Sequence, residues 1–423
     1  MRRAPLVVVA GAAVVVAAGL IGRRVRHHPS VAVAVTGPMT ESEIRDRDIE
    51  FYERRAVEDT ASASDRAQLA SLYLQRARTS GGFADYERAE DVARRSLALR
   101  TSHNGQTFAL LASALLARHD FVGALRVAER ADSLEPASTN HIALIGEIEL
   151  ELGDYEAAAR RFESLHFDSD QFTVAARAAR WRELTGRSDA ARRLLRTAIS
   201  RVNRRDDLPK EQVAWFHYRL GELELRTGNI DSAEASFRRG LSIFPDDYRI
   251  LGGLARLESS RRRWQQAIDY GNQALAVQLD PVTLGTISDA YRALGDSAEA
   301  AQYARAMTTS ALEQPGPIHR AWGLFILDHG SLRDAERVLT KTREELRTRH
   351  DVYGYDLLAW ALHREGRDAE ARVAMTKALA QHTEDPQLTR HARAIDAALA
   401  VASHRAVAAT GGISCQSSRL TCN

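Results

Sequence analysis

Residues 351–381 read DVYGYDLLAWALHREGRDAEARVAMTKALAQ, and this stretch decides the fold. Two apolar-periodic segments, Tyr355–Arg364 and Asp368–Ala380, are joined by Glu365-Gly366-Arg367. Apolar residues recurring every three or four positions predict helices, and Gly366 suits the left-handed position that closes the first of them. Ala359, Ala371 and Ala378 are small where bulk would hold the two helices apart, while Leu358, Leu362 and Met375 fill the space between them. A lone hairpin of this size buries too little apolar surface to be stable, whereas stacked copies share a continuous core.

Upstream, the same pattern recurs in phase. The small residue early in each second helix appears at Ala89, Ala124, Ala158, Ala191, Ala233, Ala267, Ala300, Ala335 and Ala371, with spacings of 35, 34, 33, 42, 34, 33, 35 and 36 residues. Five residues before it stands a turn glycine at Gly153, Gly186, Gly228, Gly295, Gly330 and Gly366, replaced by His119 and Arg262 in two copies. Twelve before it is another small residue: Ala112, Gly146, Ala179, Gly221, Ala255, Ser288, Gly323 or Ala359. Four after it comes a packing residue, large at Phe162 and Phe237, intermediate at Leu195, Leu339 and Met375, and small at Ala93, Ala128, Gly271 and Ala304.

This register resembles the tetratricopeptide repeat, whose period is about 34 residues. The resemblance implies an all-α, right-handed α-solenoid of about nine hairpins over residues 65–402, acting as a non-enzymatic scaffold that binds a protein or peptide in its concave groove. The first hairpin carries about seven extra residues, ARTSGGFADY, which predict a loop, and the 42-residue step contains RVNRRDDLPKEQ, making 201–212 the candidate break in the array.

The ends have their own character. Residues 1–30 place an uncharged run, Ala4–Gly22, between Arg2-Arg3 and Arg23, Arg24 and Arg26, which predicts an uncleaved single-pass transmembrane signal-anchor in preference to a cleaved signal. The flanking charges nearly cancel, so the expected periplasmic or otherwise extracytoplasmic placement of the solenoid rests on the tail cysteines. Residues 31–64 form a tether and a capping helix, with a Thr40-x-x-Glu43 capping box and a sparse apolar face of Ile44, Ile49 and Phe51. Gln387–Ala402 predicts a lid helix with Ala392, Ile395, Ala398 and Leu399 on one side, and 403–423 a flexible tail. The tail holds the only two cysteines, Cys415 and Cys422, a candidate disulfide in an oxidising compartment.

Charge and motifs narrow the function. Lys and Arg total 58 against 56 Asp and Glu, so no basic field points to nucleic acid. Phosphate-loop, dinucleotide, nucleophile-elbow and zinc-protease motifs are absent, and the fourteen histidines are scattered, so no catalytic residue, metal or cofactor is expected. Offsets around the small packing residue of each first helix nominate the groove: Glu147, Arg180, Glu183, Trp215, Tyr218, Glu222, Arg249, Arg256, Asp289, Arg292, Arg320, Tyr353, Asp356, Trp360 and His363. Arginines flanked by aromatics suit an acidic partner segment. A second reading is an accessory or regulatory subunit sensing a small ligand or sugar there. Family members that clamp a peptide's carboxylate use lysines and asparagines; Ser113, Glu147, Arg180, Glu222 and Arg256 stand on those faces here, so that activity is not expected.

Overall fold

The computed structural model describes residues 39–136, 138–165, 171–313 and 320–414. The segment 1–38 that carries the expected anchor, and both cysteines, lie outside the described residues. Among the described residues no helix is long and apolar enough to cross a membrane.

The described chain is helical throughout. After α1 (Glu41–Glu58), the first three hairpins are α2 (Ala63–Ser80) with α3 (Phe83–Leu99), α4 (Gly105–Ala117) with α5 (Phe121–Leu134), and α6 (Thr139–Leu152) with α7 (Tyr155–Ser164). The next three are α8 (Phe172–Leu184) with α9 (Ser188–Val202), α10 (Lys210–Arg226) with α11 (Ile230–Ile243), and α12 (Tyr248–Ser260) with α13 (Trp264–Val277). The last three are α14 (Pro281–Leu294) with α15 (Ser297–Glu313), α16 (Arg320–His329) with α17 (Leu332–Glu345), and α18 (Val352–Arg364) with α19 (Asp368–Leu379), followed by α20 (Pro386–Ser414).

Every nominated marker alanine is buried, as are Ala112, Ala179, Ala255, Ser288 and Ala359 at the facing position. The two positions compensate in volume. Where the later residue is Phe162 or Phe237, the facing one is Gly146 or Gly221, and a Cβ there would meet the ring at 2.9 Å and 2.4 Å. Each glycine is therefore the space its phenylalanine occupies. Gly153, Gly186, Gly228, Gly295 and Gly366 take positive φ as the turns require, and so do the substitutes His119 (φ 62°) and Arg262 (φ 59°). Gly330 does not.

Three local expectations change. The extra residues of the first hairpin make no loop: they lengthen α2 and α3, leaving only Gly81-Gly82 between them, and Arg76 binds Asp85 across the turn at 2.7 Å. On α1, Ile49 is buried but Ile44 and Phe51 stay 48% exposed; Tyr52 packs with Ile49 instead. The last helix continues past Ala402 to Ser414. Between Val202 and Lys210 the core is continuous, with Ala198 and Val202 packed on Val213 and Phe216.

The solenoid comes round on itself. The His350 amide donates to the Leu152 carbonyl at 2.7 Å, the Val352 amide to the Tyr155 hydroxyl at 2.9 Å, and the Thr383 hydroxyl to the Leu184 carbonyl at 2.5 Å. The turn of the third hairpin thus meets the link following the eighth, and the turn of the fourth meets the link following the ninth. At the start of the array, Gly81 lies against Gln278, beyond the sixth hairpin. Each contact joins a hairpin to the end of the one five places on. Apolar burial reinforces it: Val352 is 1% exposed in a cluster with Tyr155, Phe162 and Trp181, a contribution of about 1.5–3 kcal/mol.

Candidate functional site: the interior cavity

Because successive turns touch, the concave side is walled on more than one side. Three linked chambers of about 400, 710 and 670 Å³ run through it. Glu147 and Glu151 line the first and third, Tyr218, Glu222 and Arg226 the second and third, and Arg320 the first and second.

Helix phase explains the lining. Counted from the small residue of each first helix, offsets −6, −2, +1 and +5 form one stripe, since steps of four and three follow a helix face. Trp215, Arg219, Glu222 and Arg226 occupy it on α10, and Arg177 and Arg180 on α8. Glu147 and Glu151 do so on α6, and Arg256 and Ser260 on α12. The second turn adds Asp289, Arg320, Asp328 and Tyr353. Of the nominated residues, Glu147, Arg180, Trp215, Tyr218, Glu222, Arg256, Asp289, Arg320 and Tyr353 therefore line one interior.

The others have different positions. Glu183, 4% exposed, sits behind the wall and receives Arg180, Arg219 and Arg226. Arg249, steadied by the Asp247 cap of its own helix at 2.7 Å, locks the sixth hairpin to the fifth through Glu211 at 2.9 Å. Asp356 is fully buried between Arg320 at 2.8 Å and His391 at 2.7 Å, and Trp360 stacks on His391 at 4.1 Å while donating to Asp328 at 2.8 Å. Arg292 pairs with Asp289 at 2.8 Å, and His363 with Asp368 at 2.5 Å in the hairpin turn. Offset +4, represented by Glu183, Arg292 and His363, thus points away from the stripe.

Arg177, Arg219, Arg226, Glu151 and Arg349 were missed by the sequence reading. The first four carried a signal, since a stripe tilted to include −2 and +5 collects them. Arg349 lies in the link before α18 and enters the cavity only because the turns meet; it pairs with Glu151 at 3.5 Å and Asp351 at 2.7 Å.

Wall charges are largely matched, as in Arg177 with Glu147 at 2.7 Å and the contact of Arg256 with Glu222. Burial pushes the Tyr218 phenol up to about 12, with Glu222 adding to the rise and Arg256, Arg219 and Arg249 opposing it. Tyr353 behaves oppositely. Burial would push its phenol up too, but the guanidiniums of Arg226, Arg180 and Arg320 outweigh burial and Asp385, holding it below its usual value. Tyr353 is placed by the cap of α18, where the Asp351 carboxylate accepts the Tyr353 amide at 3.0 Å and the Gly354 amide at 3.2 Å. Among the described residues no group of three or more His, Cys, Asp or Glu could hold a metal ion.

The tetratricopeptide repeat family profile matches residues 185–239 and 218–282. Residues 185–282 are tetratricopeptide repeats by this match. IFIT1, solved as a monomeric mutant with Gppp-AAAA, is similar at 16% identity and a TM-score of 0.50, over 80% of this chain and 76% of its own. Cut9–Hcn1, a hetero-tetramer of the APC/C, is similar at 16% identity and a TM-score of 0.49, over 84% of this chain; the chain spans 59% of that protein's length. MamA aligns with 39% of this chain at 17% identity and a TM-score of 0.32. At these identities the likeness is one of fold. No curated protein matches the chain at the level of sequence. Tetratricopeptide repeats in general mediate protein–protein interaction, and scaffolds built from them are in general not enzymes.

Proposed function

We propose that the protein is a non-enzymatic scaffold that holds a segment of a partner protein in the interior cavity and is tethered to a membrane by Ala4–Gly22, with the repeats on the extracytoplasmic side. One observation carries the binding reading. First helices from several hairpins direct a single polar and aromatic stripe into linked chambers, although packing of the repeats requires only the small residues beside that stripe.

A photo-crosslinking residue in place of Trp215, inside the third chamber, is expected to capture one dominant protein in cells. The same residue in place of Arg238, on the exposed face of α11, is expected to capture none above background. Equal yields at the two positions would sink the assignment. For the tether, deletion of residues 1–38 should release the protein from the membrane fraction, and protease added to spheroplasts should degrade the repeats; retention, or protection until the spheroplasts are lysed, would overturn it.

A further inference from the structure

Several cations of the interior pair with an acid of their own, as Arg177 does with Glu147 and Arg256 with Glu222; three others share one. Glu183 takes three guanidiniums on a single carboxylate, Arg180 at 3.5 Å, Arg219 at 3.1 Å and Arg226 in closer contact. Their side chains keep 22%, 18% and 22% of their surface exposed, and they line the cavity. Opposite them, on the second turn, the Arg320 guanidinium lies 4.5 Å from the centre of the Tyr353 ring and Arg180 lies 5.8 Å from it. The Tyr353 hydroxyl is buried and has no hydrogen-bond partner of good geometry among the described residues.

The surrounding acids are engaged elsewhere. Asp356, which balances Arg320, also receives His391, and Asp385 accepts the Gln387 amide at 2.9 Å as the cap of α20. Glu151 is shared between Arg349, at 3.5 Å, and the field of Arg180, and burial pushes its carboxyl up despite both. Burial and Asp385 would raise the Tyr353 phenol, and the guanidiniums of Arg226, Arg180 and Arg320 around it outweigh both.

We propose that Arg180, Arg226, Arg320 and Tyr353 form a site for a doubly charged oxyanion of the phosphate monoester class, bridging the two turns of the solenoid. It rests on the reading of the interior as the binding surface and names the chemistry recognised there. Planar guanidiniums are forks that match the tetrahedral oxygens of phosphate, and a phenol hydroxyl donates one further bond. Three arginines on one carboxylate leave two positive charges, which a dianion neutralises and a single carboxylate does not.

Calorimetric titration of the full chain with inorganic phosphate, and with succinate as a dianion of different shape, tests the site. Phosphate is expected to bind about tenfold more tightly than succinate, and Arg226→Gln to weaken phosphate about tenfold while Glu183 keeps Arg180 and Arg219. Tyr353→Phe should weaken it a few-fold. Binding should also raise the Tyr353 phenol pKa, read as ultraviolet difference absorbance that disappears in Tyr353→Phe, a signal that loss of fold does not mimic. A phosphoserine pentapeptide that binds more tightly than free phosphate assigns the anion to a partner chain; equal affinity assigns it to free phosphate. Phosphate binding no stronger than succinate, or unchanged in both variants at wild-type melting temperature, would overturn the proposal. Failure of the phosphate tests with capture at position 215 retained would leave the scaffold reading standing without the anion site; loss of capture at 215 with phosphate binding intact would do the reverse.

Discussion

Five turn glycines have the same left-handed backbone, yet they meet two different environments. At Gly228, Gly295 and Gly366 an added Cβ would have nothing within 4 Å. At Gly153 it would lie 2.3 Å from the His350 carbonyl carbon, and at Gly186 2.3 Å from the His382 carbonyl oxygen. The first group serves only its own hairpin. The second also serves a hairpin five places on, because the backbone of the next turn occupies the space a side chain would need. One sequence signature therefore covers two functions: ending a helix and closing the superhelix.

Substitution separates them. Gly153→Ala or Gly186→Ala should show the largest effect, a loss of about 3 kcal/mol or more, because backbone strain is added to a forced parting of the turns. Denaturant midpoints measure the loss, and for Gly153→Ala faster hydrogen exchange at the His350 amide would place it at the contact. Gly221→Ala comes next, at about 1–3 kcal/mol, since its Cβ would meet Phe237 within one hairpin. Combining it with Phe237→Leu should recover part of that loss, and the His350 amide should stay protected throughout. Gly228→Ala, Gly295→Ala and Gly366→Ala should each cost about 1 kcal/mol, the strain alone. If Gly153→Ala costs no more than these three, the distinction is wrong. The smallest effect is a gain: Arg262→Gly relieves an exposed residue held at φ 59° and should stabilise by about 0.5–1 kcal/mol. His119→Gly should gain less, because it forfeits the stacking of His119 on Phe121 at 5.5 Å.

The repeat register was fully legible, since each buried small residue is demanded by a neighbour within its own hairpin or the next. Much of the wall was legible as well, because helix phase around Ala179 or Gly221 is a local matter. What was lost was the stripe's tilt, which hid Arg219 and Arg226. Closure was not legible at all. His350 to Leu152 and Thr383 to Leu184 join residues about two hundred apart through at least one backbone atom each, and a carbonyl has the same identity whatever residue carries it. Gly153 and Gly186 hinted at close approach, but turn geometry already accounted for them. The meeting of Tyr353 with Arg180 depends on that closure, so each could be nominated singly but not as a pair.

Contacts between hairpins five places apart also have a consequence in time. An array with only neighbour contacts can form from one end, each unit finishing as it is made. Here the third and fourth hairpins complete their surroundings only when the links at His350 and Thr383 have been synthesised and folded back. Until then the first chamber, where Glu147 and Glu151 face Arg349 and Tyr353, lacks its second-turn wall. On the proposed reading, a partner segment held there gains its second-turn contacts only when the turns meet.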